Sequence, residues 1–394
     1  MDPPSQKFRL VFPTIAPQHI PIDVIIDILV WLPVNTLLRF KTVCKEWCNL
    51  INSPRFIQLH LHKSLEPNSR HSRALLFTST LCLVDNLYHP LKLTKLKWPS
   101  DTVRDRECWY YVGFCNGLFC YGFPARYRSF GSVLDWKAKQ FIICNPLTRT
   151  FKSILPPTPK KKYSRWDKAI LCGFGYDSEH DDYKIVRTSR FYGKVDIYSL
   201  NDDLWRRISP TTTTTTFIVS RKSQDSLSRV VYANNMLHYL VSMVDDNGFR
   251  IARFDLSSEK WIGDLNLPLQ VKSTHEVLLG VLDGRIYVRL GKFSSPCRAS
   301  DIWICRVEDS WSKVCHLGDV GKNIICYDPS KDGPPRLLLG DFGDDIIWYD
   351  PKDDSREPFQ LKASEKDYGL ELCIASLVKI PRSCLSKMMQ QIDE

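Results

Sequence analysis

The chain has 394 residues, 43% of them hydrophobic and 25% charged, with 54 Lys and Arg against 44 Asp and Glu for a net charge of +10. Length and balance are those of one large or two ordinary globular domains, which sets aside low-complexity and disordered classes. No apolar run reaches the roughly 18 residues that a bilayer-crossing helix needs, so no membrane partner is expected.

Residues 1–17 are proline-rich and lack an apolar signal core, and they read as a flexible leader. Residues 18–64 read as a small helical unit. Pro21 suits a first helical turn, where a missing N–H costs nothing, and Asp23 puts negative charge near that start. Val24, Ile25, Ile28, Leu29 and Leu32 recur at helical spacing, and Pro33 stops the helix. Asn35 or Thr36 can cap a second helix that carries Leu37, Leu38, Phe40, Val43, Cys44 and Trp47, and Ser53-Pro54 ends a third segment. A unit this small has little core, so this much apolar surface leaves a face that wants a partner.

The order Ile20-Pro21, Ile28-Leu29, Leu32-Pro33, Leu37-Leu38-Arg39-Phe40-Lys41, Val43-Cys44-Lys45, Trp47, Leu50-Ile51 and Ser53-Pro54 with Phe56 resembles the F-box. That family is the adaptor-docking motif of cullin–RING ubiquitin ligase receptors. Ile20 stands where the family usually has Leu, and Asn35-Thr36 where Lys-Ser is common. The resemblance implies docking on a Skp-family adaptor, and through it on cullin and a RING subunit. Pro21, Ile28, Leu29, Leu32, Leu37, Val43 and Trp47 are the implied contact set.

From about residue 73 the chain alternates short β-type runs with Gly, Asn and Asp turns. One unit reads as strands over 171–176, 183–189, 195–200 and 205–208, the composition of a propeller blade. An aromatic follows six residues after a recurring third-strand position: Asn145 leads to Phe151, Ser199 to Trp205, Asp255 to Trp261 and Cys305 to Trp311. Their separations of 54, 56 and 50 residues are kelch-like, with Trp98 a weaker copy and 346–350 a degraded one. At about 50 residues per blade, 73–380 would hold about six blades. An apolar strand at 372–379 could close the ring on the first blade and hide its edges. Trp205, Trp261 and Trp311 read as filling between blades. Asn116-Gly117, Asn235 and Asp283-Gly284 suit the φ > 0 positions of tight turns.

This region resembles the plant F-box-associated domain. The resemblance rests on Val112-Gly113-Phe114-Cys115-Asn116-Gly117-Leu118, Asn145-Pro146-Leu147-Thr148-Arg149, Gly173-Phe174-Gly175-Tyr176-Asp177, Asp182-Tyr183-Lys184-Ile185-Val186 and Ser376-Leu377-Val378. The expected fold is α+β and multidomain: a three-helix F-box (18–64), then a mainly-β, kelch-like propeller of about six blades (65–380), then a tail (381–394).

Site chemistry is sparse. Fourteen cysteines occur without a C-x-x-C pair, and no N-x-S/T sequon is present. Both facts fit a reducing cytosol or nucleus, with the cysteines acting as small buried hydrophobes. His60-x-His62 has no thiolate or carboxylate company, and the acidic run 179–182 reads as a hairpin tip, so no metal or other cofactor is expected. The Gly173/Gly175 pair precedes no helix and reads as a strand bend, not a dinucleotide fingerprint. Lys160, Lys161, Lys162, Arg165 and Lys168 form the densest basic spot. It reads as a solvated loop or a contact for an acidic protein; without a recognition helix, nucleic acid is not an expected partner. Threonines 211–216 and the Ser/Arg-rich 220–229 read as a loop insertion.

The expectation for function is a non-catalytic substrate receptor of an SCF-type ubiquitin ligase, acting on a protein substrate. Arg126, Tyr127, Trp136, Tyr163, Arg165 and Trp166 are substrate-contact candidates, because Tyr, Trp and Arg are the usual anchors of binding surfaces. The rival expectation is a propeller enzyme, or a sugar- or small-molecule-binding receptor, with an incidental helical cap.

Overall fold

The computed structural model describes residues 20–66, 73–77, 82–84, 93–95, 110–124, 138–157, 170–189, 195–208, 230–242, 248–269, 271, 275–282, 284–292, 299–307, 310–318, 323–328, 336–340, 347–358, 370–374 and 376–381. The leader 1–17, the insertion 211–229, the basic spot 160–168 and Trp98 lie outside the described residues, as does the tail beyond Pro381.

The N-terminal unit has four helices, not three: α1 (Ile22–Leu29), α2 (Val34–Phe40), α3 (Lys45–Asn52) and α4 (Pro54–Leu65). Ser53-Pro54 explains the difference. It ends α3 and at once starts α4, with the Ser53 Oγ accepting from the Phe56 N–H at 3.2 Å and Pro54 in the first turn. Prolines punctuate the earlier helices too. Pro21 and Pro33 occupy the N-cap positions of α1 and α2, so Asn35 and Thr36 fall inside α2 and cap nothing. Cys44 caps α3, its Sγ accepting from the Trp47 N–H at 3.4 Å. The helices share a core of Leu29, Val34, Leu37, Ile51 and Phe56, joined by Leu377 from the far end of the chain.

The β region begins with β1 (Arg73–Phe77), β2 (Cys82–Val84) and β3 (Leu93–Lys95). Five antiparallel four-stranded meanders follow. The first blade is β4 (Tyr110–Cys115), β5 (Leu118–Pro124), β6 (Ala138–Asn145) and β7 (Thr150–Ile154). The second is β8 (Ile170–Asp177), β9 (Asp182–Ser189), β10 (Val195–Ser199) and β11 (Leu204–Ile208). The third is β12 (Val230–Ala233), β13 (Met236–Ser242), β14 (Phe249–Asp255) and β15 (Lys260–Asn266). The fourth is β16 (His275–Leu282), β17 (Arg285–Lys292), β18 (Ser300–Val307) and β19 (Ser310–Leu317). The fifth is β20 (Asn323–Asp328), β21 (Arg336–Gly340), β22 (Ile347–Asp350) and β23 (Ser355–Pro358). Complete blades among the described residues thus number five, not about six. The other strands form two pairs: β2 with β3, and β1 with the last strand, β24 (Leu370–Ile374). Pairing the first strand with the last ties the two ends of the β region together, and it removes one exposed edge from each.

The six-residue spacing has a turn geometry behind it. Asn145, Ser199, Asp255 and Asp350 each end a third strand, and their side-chain oxygens accept N–H groups two or three residues on. Four positions after each comes a left-handed residue: Arg149, Asp203, Glu259 and Asp354, with φ of 55–57°. The fourth strand then starts, and its second residue faces the one before the turn residue: Cys144 pairs Phe151, Tyr198 pairs Trp205 and Phe254 pairs Trp261. In the fifth blade Arg356 takes the aromatic slot opposite Tyr349, which is why that copy reads as degraded. The fourth blade reaches Cys305–Trp311 through register shifts.

Cores lie between neighbouring blades. Phe141, Ile143, Phe174, Ile185 and Tyr198 join blades one and two, and Val186, Ile197, Leu237 and Phe254 join two and three. The indoles serve these seams. Trp205 stacks 5.8 Å from Phe141 of the preceding blade, and Trp311 packs into the seam before its own blade, donating to the Asn266 carbonyl at 2.8 Å. Gly175 is small for packing, not for a bend: a Cβ there would lie 2.4 Å from the Tyr232 ring on the next inner strand.

Charge also crosses the seam between blades two and three. Buried Lys184 donates to Asp177 (2.7 Å), to Glu259 (2.8 Å) and to the Leu256 carbonyl (2.8 Å), and Arg206 pairs with Glu259. Burial alone would raise the Asp177 carboxyl. Hydrogen bonds from Lys184, Ser257 and His180 outweigh it and hold the group well below the usual carboxylate range. A depressed carboxyl contributes stability above its unfolded-state value, and that contribution declines as pH falls toward the folded one. Lys184→Met is expected to cost about 3 kcal/mol at neutral pH, because it leaves Asp177 buried without its cation. Urea unfolding of both proteins, repeated at stepwise lower pH, should show the gap narrowing through the acid range.

Candidate functional site

Helix α1 has more apolar residues than one face can hold. Ile25, Ile26 and Leu29 turn inward to the helical core. Pro21, Val24 and Ile28, at i, i+3 and i+7, share the opposite stripe and are exposed, Ile28 at 55%. Ile20, Ile22 and Trp31 flank it, also exposed, and Val43 stands out at 61% on the turn between α2 and α3. Scattered single apolar residues on a surface are ordinary, whereas this many on one short helix and its flanks mark an apolar face that the described residues leave exposed.

The surrounding contacts hold this face in shape. At the end of α1 the Trp31 and Leu32 N–H groups bond back to the Ile28 and Leu29 carbonyls. The Leu32 carbonyl then accepts from His60 Nε2 of α4 at 2.9 Å. Burial pushes the His60 imidazole below its ordinary value, against the opposing effect of that bond, so the ring is neutral at physiological pH. Lys63 of α4 lays its ammonium 3.9 Å from the centre of the Trp31 ring while pairing with Glu66. Val43 is held by its N–H to the Phe40 carbonyl (3.1 Å), and Trp47 leans on Phe40 with ring centres 5.3 Å apart.

The seven residues of the implied contact set therefore divide. Pro21, Ile28 and Val43 are exposed, and Leu32 and Trp47 are half-buried. Leu29 and Leu37, at 1% and 0% exposure, are instead buried in the helical core. Ile20, Ile22, Val24 and Trp31 are exposed apolar residues of this face that lie outside that set. The signal was available, since an eight-residue helix with six apolar side chains cannot bury all of them on one side.

Arg126, Tyr127, Trp136, Tyr163, Arg165 and Trp166 all lie outside the described residues. The acidic run 179–182 forms the β8–β9 hairpin tip, and its side chains are engaged: Asp181 accepts from the Tyr176 hydroxyl (2.6 Å) and from Gln58 of α4 (3.1 Å), and Asp182 from the Asn201 N–H (3.0 Å). No group of three or more His, Cys, Asp or Glu among the described residues could hold a metal ion. Burial pushes the Cys144 thiol up to about 12, and the Cys120 thiol also well above its ordinary value, which makes both poor nucleophiles.

A small four-helix unit with an unpartnered apolar face, set on a bladed β domain, defines a docking module joined to a propeller. Residues 18–59 match the F-box domain, and residues 101–332 match the F-box associated beta propeller domain. The chain belongs to the F-box proteins that carry an F-box-associated propeller. It is similar to the F-box protein CPR1 of Arabidopsis thaliana, at 26% identity over 91% of this chain and 88% of the relative. An F-box/kelch-repeat protein of the same plant is also 26% identical, over 77% of this chain and 80% of that one.

His60→Leu keeps the volume but leaves the Leu32 carbonyl without its donor, and it is expected to cost about 1–3 kcal/mol. Amide exchange in α1 and α4 of the intact chain should quicken accordingly, while exchange in the fifth blade stays unchanged.

Proposed function

We propose that this protein is the substrate-recognition subunit of an SCF-type cullin–RING ubiquitin ligase. The F-box docks on a Skp-family adaptor, which brings cullin and the RING subunit, and the propeller binds a protein substrate. The observation that carries this reading is the exposed stripe Pro21, Val24 and Ile28 with Trp31 and Val43, on a unit that matches the F-box. An apolar helix face of this kind is a groove-filling element: covering it removes water from side chains that the chain itself leaves wet.

The receptor performs no covalent step. It places a substrate lysine near a ubiquitin-charged conjugating enzyme, and the rate gain comes from making the encounter effectively intramolecular. Such a receptor acts in the cytoplasm, the nucleus or both, and its family relatives are plant F-box proteins. Ubiquitination marks the bound protein for degradation.

Ile28→Asp and Val43→Asp, in the full chain, should each weaken binding to a purified Skp-family adaptor by about thirtyfold, the loss typical of one interface anchor. Leu204→Asp, at an equally exposed position on the propeller, should bind as the wild type does. Isothermal titration separates these outcomes, and equal binding by all four proteins would sink the docking face. Affinity capture from plant extract with and without residues 1–64 then tests the substrate half, since a propeller-bound protein should be recovered by both.

A further inference from the structure

The segment that follows β24 leaves the β region and enters the helical unit. Leu377 is 1% exposed, and its neighbours are the F-box core residues Leu29, Val34, Leu37, Ile51 and Phe56. Two residues later, Lys379 Nζ donates to the Asn52 carbonyl at the end of α3, at 2.9 Å. Val378 and Ile380 are buried on the other side, in the seam between blades one and two. A stretch of five residues thus alternates between two cores.

Its hold on the propeller is polar and specific. Asn145 of the first blade donates from one amide nitrogen to the Ser376 carbonyl (3.1 Å) and the Val378 carbonyl (2.9 Å), while its Oδ1 caps the following turn. Gly117, at φ +84°, lies so close that a Cβ would sit 2.1 Å from the Ser376 hydroxyl. The polar groups that fix Ser376 and Val378 from outside the segment thus belong to blade one, whereas Leu377 joins the hydrophobic cluster of the F-box, with Leu147 beside Asn145 packed against it.

We infer that residues 376–380 form a strap that shapes the adaptor-docking face, with Leu377 as its positioning residue. This rests on the adaptor reading above. Leu377 lies against Leu29 and Leu37, whose helices carry Ile28 and lead to Val43 on their outer surfaces. Without it the helical core has a hole at its centre, and α1 and α2 lose the fixed relation that sets the exposed stripe. The F-box of this protein is consequently completed by a residue more than three hundred positions downstream of its own motif, and adaptor affinity depends on the C-terminal segment.

The test uses the full chain. Leu377→Ala is expected to weaken adaptor binding about tenfold, as when only one molecule in ten keeps a competent face. Leu377→Met, which conserves volume, should restore binding. Asn145→Ala frees the strap from the propeller side, and with it the cap of the turn that carries Leu147, while every helical side chain stays in place; it should weaken binding in the same direction. Leu339→Ala, in the core between blades four and five, should lower overall stability and leave affinity unchanged. Amide exchange in α1–α3, measured without adaptor, should quicken for Leu377→Ala and Asn145→Ala only. Wild-type affinity and wild-type exchange in Asn145→Ala and Leu377→Ala would overturn the strap; if Leu377→Ala does not fold, Asn145→Ala decides alone. Failure of the wild-type chain to bind adaptor would instead reject the docking function, with the exchange comparison still judging the strap.

Discussion

Segments far apart in this chain have to meet for either half to be complete. β24 pairs with β1 to join the ends of the β region, and the residues directly after β24 continue into the F-box core through Leu377. Pairing with β1 and helical packing are thus consecutive uses of one short segment. The hydrophobic term favours the arrangement, because a four-helix unit of fewer than fifty residues buries too little apolar surface by itself, and a borrowed leucine fills its centre. The polar term makes it specific: the Asn145 amide satisfies two buried carbonyls, Ser376 and Val378, that an extended segment between two cores would otherwise leave unmet.

The propeller solves the same problem by repetition. Each blade is a meander whose hydrophobic faces are finished only by its neighbours, so the large cores sit at seams and the outer-strand indoles of Trp205, Trp261 and Trp311 pack into them. Inner strands approach closely enough that glycine is required at Gly175, where Tyr232 of the next blade occupies the space. Where side chains at a seam are charged, they are matched: Asp177, Lys184 and Glu259 form a chain across blades two and three. Such a buried network adds less to stability than its geometry suggests, and its removal in part costs more than its presence gains.

Much of this was legible in the sequence, and the reasons differ by element. The prolines at 21, 33 and 54 announced helix boundaries correctly. Ser53-Pro54 looked like an ending because a proline stops a preceding helix and starts a following one with equal ease. The period near fifty was readable because the third strands of blades one, two and three end in Asn, Ser and Asp, and the left-handed turn after each fixes the distance to the next aromatic. The blade count ran one too high because dividing length by period assigns every residue to a blade, whereas β1–β3 and β24 form two separate pairs among the described residues. On α1 the motif named which residues matter but not which way they face. Leu29 and Ile28 are adjacent and equally apolar; only the packing of α2–α4 decides that one is core and the other surface. The role of Leu377 had no local signal at all, since nothing in Ser-Leu-Val distinguishes a leucine packed on sheets from one packed on helices 340 residues away.

Stiffness is the property that links these features to the proposed recruitment. Proximity accelerates transfer only when the tether holds substrate and enzyme in a limited range of relative positions, because a loose joint spends the gain on conformational freedom. Here the joint is held at several points. Helix α4 sets Ile57 and Leu61 against the core of blades one and two, and Gln58 donates to Asp181 on the β8–β9 tip. That tip is braced in turn: Asp177, which receives His180 and two backbone N–H groups of the same turn, is bonded to Lys184 and to Ser257 of blade three. A displacement of the helical unit would therefore have to break contacts with blades one and two, not bend a linker. Among the described residues, the path from the exposed stripe of α1 to the third blade contains no stretch that is free of packing or hydrogen bonds, and the angle between docking face and propeller is built into the fold.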